Sequence, residues 1–244
     1  MYFCIEVHLK IRPMNIPFLL LHGALGAKQQ FNPLLSALPN SWNGQPINLP
    51  GHGGLPANET FSIEKMAEFV LQWLDNQNFA QIDIFGYSMG GYVALWLAHT
   101  HPVRIRSVFT LGTQFDWTPE SAAKEAGRLN PAKIAEKVPA FALQLEQLHA
   151  PEDWQQVVRQ TADLLTLLGE NPLVSPEVLQ SIQQPVLIAR GSDDQMVSRE
   201  TSELAAQNLP NGHFIELPQT KHPLEQVDPA LLAQMLEHWR GEMA

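Results

Sequence analysis

The sequence contains a single cysteine, Cys4, and few basic residues among its 244. One cysteine excludes an intramolecular disulfide and any cluster of cysteine ligands for a metal. Fifteen Lys and Arg stand against 25 Asp and Glu, for a formal net charge of −10. Because a phosphate-binding surface needs clustered basic side chains, and these are scattered, we expect no nucleic-acid partner. The same balance gives no reason to expect binding to an anionic membrane surface.

Long apolar runs are also absent. The longest strongly apolar run covers residues 16–21, which is far too short to cross a bilayer. In residues 3–11, apolar side chains alternate with polar ones, which is typical of a strand with one buried face rather than a signal peptide. We therefore expect a cytoplasmic protein with no membrane insertion.

The chain contains enough apolar residues to form a hydrophobic core. It is 45% hydrophobic and 16% charged, which suits one folded domain with a modest insertion. Helical patterns near 28–38, 62–76, 89–100, 199–208 and 228–240 alternate with short apolar runs at 16–21, 46–49, 82–85, 108–111, 186–189 and 213–217. This alternation predicts an α/β fold with a doubly wound, mostly parallel sheet.

The alternation stops between residues 113 and 184. This stretch shows no convincing strand, but amphipathic segments near 119–129, 131–148, 152–168 and 175–182. We interpret it as a helical insertion at 113–184, and expect a core formed by 1–112 and 185–244.

Residues 86–91 read Gly-Tyr-Ser-Met-Gly-Gly, between a predicted strand and a predicted helix. A G-x-S-x-G pattern in this context is typical of a nucleophile on a very tight turn, where bulky neighbours would clash. Ser88 is therefore the candidate nucleophile. The N–H of Met89, at the start of the helix, would face negative charge that develops beside the serine.

A second loop follows the first apolar run and reads His-Gly-Ala-Leu-Gly at residues 22–26. Such a loop can supply the other donor to an oxyanion. The N–H of Ala24 is our candidate, with the neighbouring Leu25 as the alternative. We expect His22 to be a structural residue that holds this loop by hydrogen bonds.

A serine hydroxyl needs a base to take its proton, and the base needs an acid to orient it. Asp193 and Asp194 follow the strand predicted at 186–189, and His222 follows the strand predicted at 213–217. Because the carboxyl ends of parallel strands share one edge of the sheet, an aspartate and His222 should meet Ser88 there.

The sequence resembles the α/β-hydrolase superfamily over nearly its whole length. The matching motifs are His22-Gly23, Leu49-Pro50-Gly51-His52-Gly53, the turn at 86–91, the segment 191–194 and His222. The resemblance implies that Asp194 is the acid, His222 the base and residues 113–184 a lid over the active site. Lys221 stands where the family usually has a glycine.

These features predict a serine hydrolase that cleaves a small carboxylic ester through an acyl-enzyme, without a cofactor. A thioesterase, or a carbon–carbon bond hydrolase or lyase, would use the same triad. A catalytically silent ligand-binding protein of this fold is the alternative from another class. Nothing in the sequence indicates the oligomeric state.

The acyl pocket is expected to include Leu25 and three aromatic residues of the insertion, Phe115, Trp117 and Phe141. These aromatic side chains could equally pack the insertion onto the core. His99 and His101 have no carboxylate or cysteine at ligand spacing, so we expect no metal site.

Overall fold

A computed structural model describes residues 17–39, 41–57 and 60–242. The strand predicted at 3–11, together with Cys4, lies outside the described residues. All six other predicted strands are present, with shifted ends: β1 Phe18–Leu21, β2 Gly44–Ile47, β3 Ile82–Tyr87, β4 Ile105–Leu111, β5 Val186–Gly191 and β6 Gly212–Leu217.

The six strands form one sheet in the order β2-β1-β3-β4-β5-β6, and every pair of neighbours is parallel. All four residues of β1 and all six of β3 are buried. Strands covered on both faces are expected to be continuously apolar, as these two largely are. The predicted fold class, a doubly wound parallel sheet, is confirmed.

Five helices cover the two faces of the sheet: α1 Asn32–Ala37, α2 Ile63–Asn76, α3 Met89–Thr100, α9 Arg199–Asn208 and α10 Pro229–Glu242. Helices α2, α3 and α9 bury their apolar side chains in one core cluster, whereas α1 and α10 contribute to another. Ser62 caps α2 by accepting the Lys65 N–H at 3.2 Å. In the described part of the chain, no helix is both long and apolar enough to span a membrane.

Between β4 and β5 the chain forms five further helices: α4 Pro119–Ala126, α5 Pro131–Lys137, α6 Pro139–His149, α7 Trp154–Glu170 and α8 Pro176–Ser181. We call the segment between β4 and β5, residues 112–185, which contains these five helices, the insertion. The segment predicted at 131–148 is divided at Val138, because Pro139 has no N–H to donate and starts a new helix instead. The predicted division of the chain into core and lid stays a prediction.

Candidate active site

The carboxyl ends of four neighbouring strands meet at one edge of the sheet. The N–H of Ser88, just after β3, donates to the carbonyl of Leu111 at the end of β4, at 2.8 Å. The N–H of Ser192, just after β5, donates to the carbonyl of Leu217 at the end of β6, also at 2.8 Å. These bonds hold the segments that follow the strands side by side.

Ser88 lies on a strained turn between β3 and α3. Its backbone has φ 51° and ψ −116°, which a residue with a side chain rarely adopts. A Cβ at Gly86 would lie 2.4 Å from the Cα of Gly91, and one at Gly90 would lie 2.2 Å from the carbonyl oxygen of Leu21. The glycines are therefore required because α3 packs directly against β3 and β1.

The loop after β1 lies against the serine. A Cβ at Gly23 would be only 3.2 Å from the Cβ of Ser88. The N–H of Gly26 donates to the carbonyl of Gly23 at 3.1 Å and closes the loop into a turn, in which Leu25 adopts φ 57°. Ala24 and Leu25 both line the cavity that Ser88 faces. Met89 begins α3 and lines the same cavity.

His22 has the structural hydrogen bonds that the sequence predicted. Its Nε2 accepts the N–H of Leu49 at 3.0 Å, so its Nδ1–H donates to the carbonyl of Gly23 at 2.8 Å. Burial lowers the pKa of His22 to about 4, against the opposing effect of the bond to Gly23. The ring is therefore neutral near pH 7, and both of its nitrogens are occupied by main-chain groups.

Of the two adjacent aspartates, Asp194 contacts the histidine. Its Oδ2 lies 2.8 Å from Nδ1 of His222, and its Oδ1 accepts the N–H groups of Met196 and Val197 at 2.8 and 3.0 Å. Burial acts to raise the pKa of Asp194, but the hydrogen bond and charge of His222 and the two N–H groups outweigh it and lower the pKa. Asp193 is exposed.

The structure also brings His222 to the serine's side of the sheet. Gly112 follows the residue that accepts the Ser88 N–H, and a Cβ at Gly112 would lie 3.2 Å from both Cε1 and Nδ1 of His222. Ser88 and His222 line the same cavity, although no hydrogen bond joins the Ser88 hydroxyl to the imidazole among the described residues. Since Nδ1 faces Asp194, Nε2 is the nitrogen left for a substrate or the serine. The phenol of Tyr87 donates to the carbonyl of His222 at 2.9 Å.

Sequence reasoning missed Arg190, which holds the loop of the aspartate. It is buried at the end of β5, and its guanidinium donates to the carbonyls of Asp194 at 2.8 Å and Val197 at 3.1 Å. It also pairs with Glu216 on β6. The sequence could have indicated this role, since a charged residue directly follows the apolar run 186–189. A buried cation at that position needs carbonyl or carboxylate partners.

The cavity has a volume of about 1000 Å³. Trp117 and Phe141, two of the expected pocket residues, line it together with Leu25. The third aromatic residue, Phe115, is not part of the wall and instead packs against the core cluster that contains α2 and α3. Further apolar side chains of the insertion also line it, namely Leu129, Ile134, Val138, Leu145, Leu148, Leu164, Leu165 and Leu168.

The insertion also contributes an ion pair to this wall. Arg128 donates to both carboxylate oxygens of Glu125 at 2.9 and 2.7 Å, and both residues line the cavity. Their sequence spacing is compatible with a helical pair, but spacing alone does not indicate which face of a helix meets a cavity. Among the described residues, no group of three or more His, Cys, Asp or Glu is arranged to hold a metal ion.

The chain is similar to several known proteins. It is 29% identical over 222 residues to the pimeloyl-[acyl-carrier protein] methyl ester esterase of Neisseria meningitidis (serogroup C), across 83% of this chain and 85% of the relative. It is 25% identical to 3-oxoadipate enol-lactonase 1 of Acinetobacter baylyi, across 83% and 80% of the two chains. The crystal structure of NosK from Streptomyces actuosus superposes with a TM-score of 0.80 at 22% identity, across 93% of this chain and 99% of NosK.

The sequence model of the α/β-hydrolase fold matches residues 16–177. This match covers most of the chain, and the parallel sheet described above has the architecture that the resemblance implied. The protein therefore belongs to the α/β-hydrolase fold family.

Proposed function

We propose that this protein hydrolyses carboxylic esters of small alcohols with short or medium acyl chains, using Ser88, His222 and Asp194. The observation that carries the proposal is the Asp194–His222 pair, joined at 2.8 Å beside the strained turn of Ser88 at one cavity wall. An oriented imidazole that lines the same cavity as a serine on a strained turn is an arrangement suited to nucleophilic catalysis.

In the proposed reaction, the Ser88 oxygen attacks the ester carbonyl carbon while Nε2 of His222 takes the hydroxyl proton. The carbonyl oxygen becomes an oxyanion, which the N–H groups of Met89 and Ala24 stabilise. The tetrahedral intermediate collapses to an acyl-enzyme, and the histidine gives its proton to the departing alcohol oxygen. Water then attacks the acyl carbon, the histidine takes and returns a proton in the same way, and the free acid leaves Ser88 with its hydroxyl restored.

The cavity and the relatives support an acyl substrate. A volume of about 1000 Å³ with mostly apolar walls suits an alkyl chain beside the reacting carbonyl. One relative is named a methyl ester esterase and the other an enol-lactonase. Both names describe enzymes that cleave an ester bond. The predicted enzyme class agrees with these names.

Thioester cleavage and carbon–carbon bond cleavage stay alternatives, since both begin with the same machinery. Parallel assays on oxygen esters and matched thioesters of two to eight acyl carbons distinguish the bond that is cleaved. The catalytically silent alternative predicts no turnover of any of them and no rapid labelling of Ser88 by a fluorophosphonate probe.

The direct test is Ser88→Ala. We expect at least about a thousandfold loss of kcat on a p-nitrophenyl ester, because no other group forms the acyl-enzyme. Ser36→Ala is the matched control, since Ser36 is an exposed serine on α1 whose hydroxyl, within the described part of the chain, bonds only to the carbonyl of Asn32. Circular dichroism checks that both variants fold. A Ser88→Ala variant as active as the Ser36→Ala variant would refute the proposed function.

A further inference from the structure

Three buried histidines meet beneath the loop that carries Ala24 and Leu25. His22, His52 and His149 have no exposed surface, and their rings lie in a row, with centroids 5.0 Å apart for the first two and 5.7 Å apart for the last two. Two of them belong to the core, whereas His149 is the last residue of α6 in the insertion. The proposed reaction uses none of them.

The hydrogen bonds of His149 define one tautomer. The N–H of Gly53 donates to its Nδ1 at 3.1 Å, so that nitrogen carries no hydrogen. The hydrogen is therefore on Nε2, which lies 3.2 Å from the carbonyl oxygen of Leu25 and donates to it. Burial lowers the pKa of His149, against the bond to Leu25, so the ring is neutral as this arrangement requires.

The main chain at Leu25 has a conformation that contacts with its surroundings must stabilise. Leu25 has φ 57°, a conformation that is uncommon for residues other than glycine and persists where surrounding contacts hold it. The hydrogen bond between Gly26 and Gly23 closes the turn within the loop. The imidazole of His149, which belongs to α6, donates a second hydrogen bond to the Leu25 carbonyl of this turn. Ala24, whose N–H is the proposed oxyanion donor, lies directly before this fixed carbonyl.

We propose that His149 is a positioning residue, which holds the Ala24–Leu25 loop in the geometry that stabilises the oxyanion and thereby couples the insertion to the reaction. This inference rests on the proposed function and deepens it. Because an oxyanion donor acts on the transition state rather than on the bound ester, loss of the His149–Leu25 bond should lower kcat and leave KM nearly unchanged.

Two substitutions separate the two hydrogen bonds of His149. In His149→Gln the amide N–H reaches the position of Nε2 and can still donate to the Leu25 carbonyl. In His149→Asn the amide oxygen lies near the position of Nδ1 and can still accept from Gly53, but the bond to Leu25 is lost. Both variants remove the ring from the buried row, so they should unfold at similarly reduced urea concentrations.

We expect His149→Asn to lose about tenfold in kcat, less than the full removal of an oxyanion donor, and His149→Gln to stay within about threefold of the wild type. KM should change less than about twofold in both. Equal kcat losses in the two folded variants would show a purely structural role and overturn the inference, as would a His149→Asn variant with full kcat. Either result leaves the proposed function standing, whereas turnover by Ser88→Ala in the same assay overturns both.

Discussion

The edge of the sheet and the insertion build the two sides of the cavity in different ways. At the sheet edge, Asp194 is 5% exposed and its carboxylate is held by His222 and two N–H groups. On the insertion, Phe141 is 39% exposed while it lines the same cavity. At the sheet edge the proposed reacting groups are therefore held by buried hydrogen bonds, whereas the insertion presents a half-exposed side chain, Phe141, to the cavity. We therefore expect the chemistry to depend on the first side and the substrate preference on the second.

The largest expected effect lies at the sheet edge. In Asp194→Asn, the amide donates to Nδ1 of His222, which leaves the hydrogen on Nε2 and prevents it from accepting the serine proton. We expect kcat to fall by about a thousandfold to ten-thousandfold while the protein stays folded. Asp193→Asn is the matched control, because Asp193 is an exposed neighbour whose carboxylate, among the residues that the structure describes, bonds only to the hydroxyl of Ser192. Similar losses in ester assays of the two variants would contradict the assignment of Asp194.

A smaller effect is expected where the sheet edge meets the insertion, at the buried histidines. The pKa of His22 is about 4 in the folded protein and about 6.5 in the unfolded chain, so the unfolded chain binds more protons between these values. Stability is therefore lost as pH falls below about 6.5. For His22 alone, the free energy of unfolding should decrease by about 2 kcal/mol between pH 7.5 and pH 5.

Urea unfolding at the two pH values measures this decrease. His22→Gln should show a smaller pH dependence than the wild type, while His101→Gln should match the wild type because His101 is exposed. A decrease that is the same in all three proteins would place the titrating group elsewhere.

The smallest effect is expected on the insertion. Phe141→Ala removes apolar surface from the cavity wall but touches none of the reacting groups, so KM for a six- to eight-carbon acyl ester should rise about fivefold at nearly constant kcat. Leu143→Ala is the matched control, since Leu143 is exposed on the same helix and is not part of the wall. An unchanged KM in Phe141→Ala, or an equal rise in Leu143→Ala, would mean that this wall does not bind the acyl chain.

Much of the fold was predictable because buried parallel strands are short apolar runs. The exceptions have local causes. The sequence predicted a start of β4 at residue 108 because Arg106 interrupts the apolar pattern, but the strand begins at Ile105. Arg106 is nevertheless part of the strand, since its guanidinium forms two hydrogen bonds with the buried carboxylate of Asp83 at 2.6 and 2.5 Å. A charge that is neutralised by a partner 23 residues away cannot be recognised from its own segment.

The residues of the candidate site also differ in how well the sequence predicted them. Ser88, Asp194 and His222 follow strands in short motifs, so their sequence positions indicated where they would meet. The cavity wall depends on how segments distant in sequence pack together. The local sequence therefore did not predict that Arg128 lines the cavity or that Phe115 does not. His149 is a similar case, because its partners Leu25 and Gly53 lie about a hundred residues earlier in the chain.

The parallel pairing of β4 with β5 has a further consequence. Parallel neighbours require the chain to travel from the end of one strand back to the start of the next, so this sheet needs a long connection there in any case. The five helices lengthen a connection that the topology already requires, and β4 and β5 pair with Val108 opposite Val186. We therefore expect that shortening or exchanging helices between these two strands would change the cavity wall while the sheet keeps its pairing.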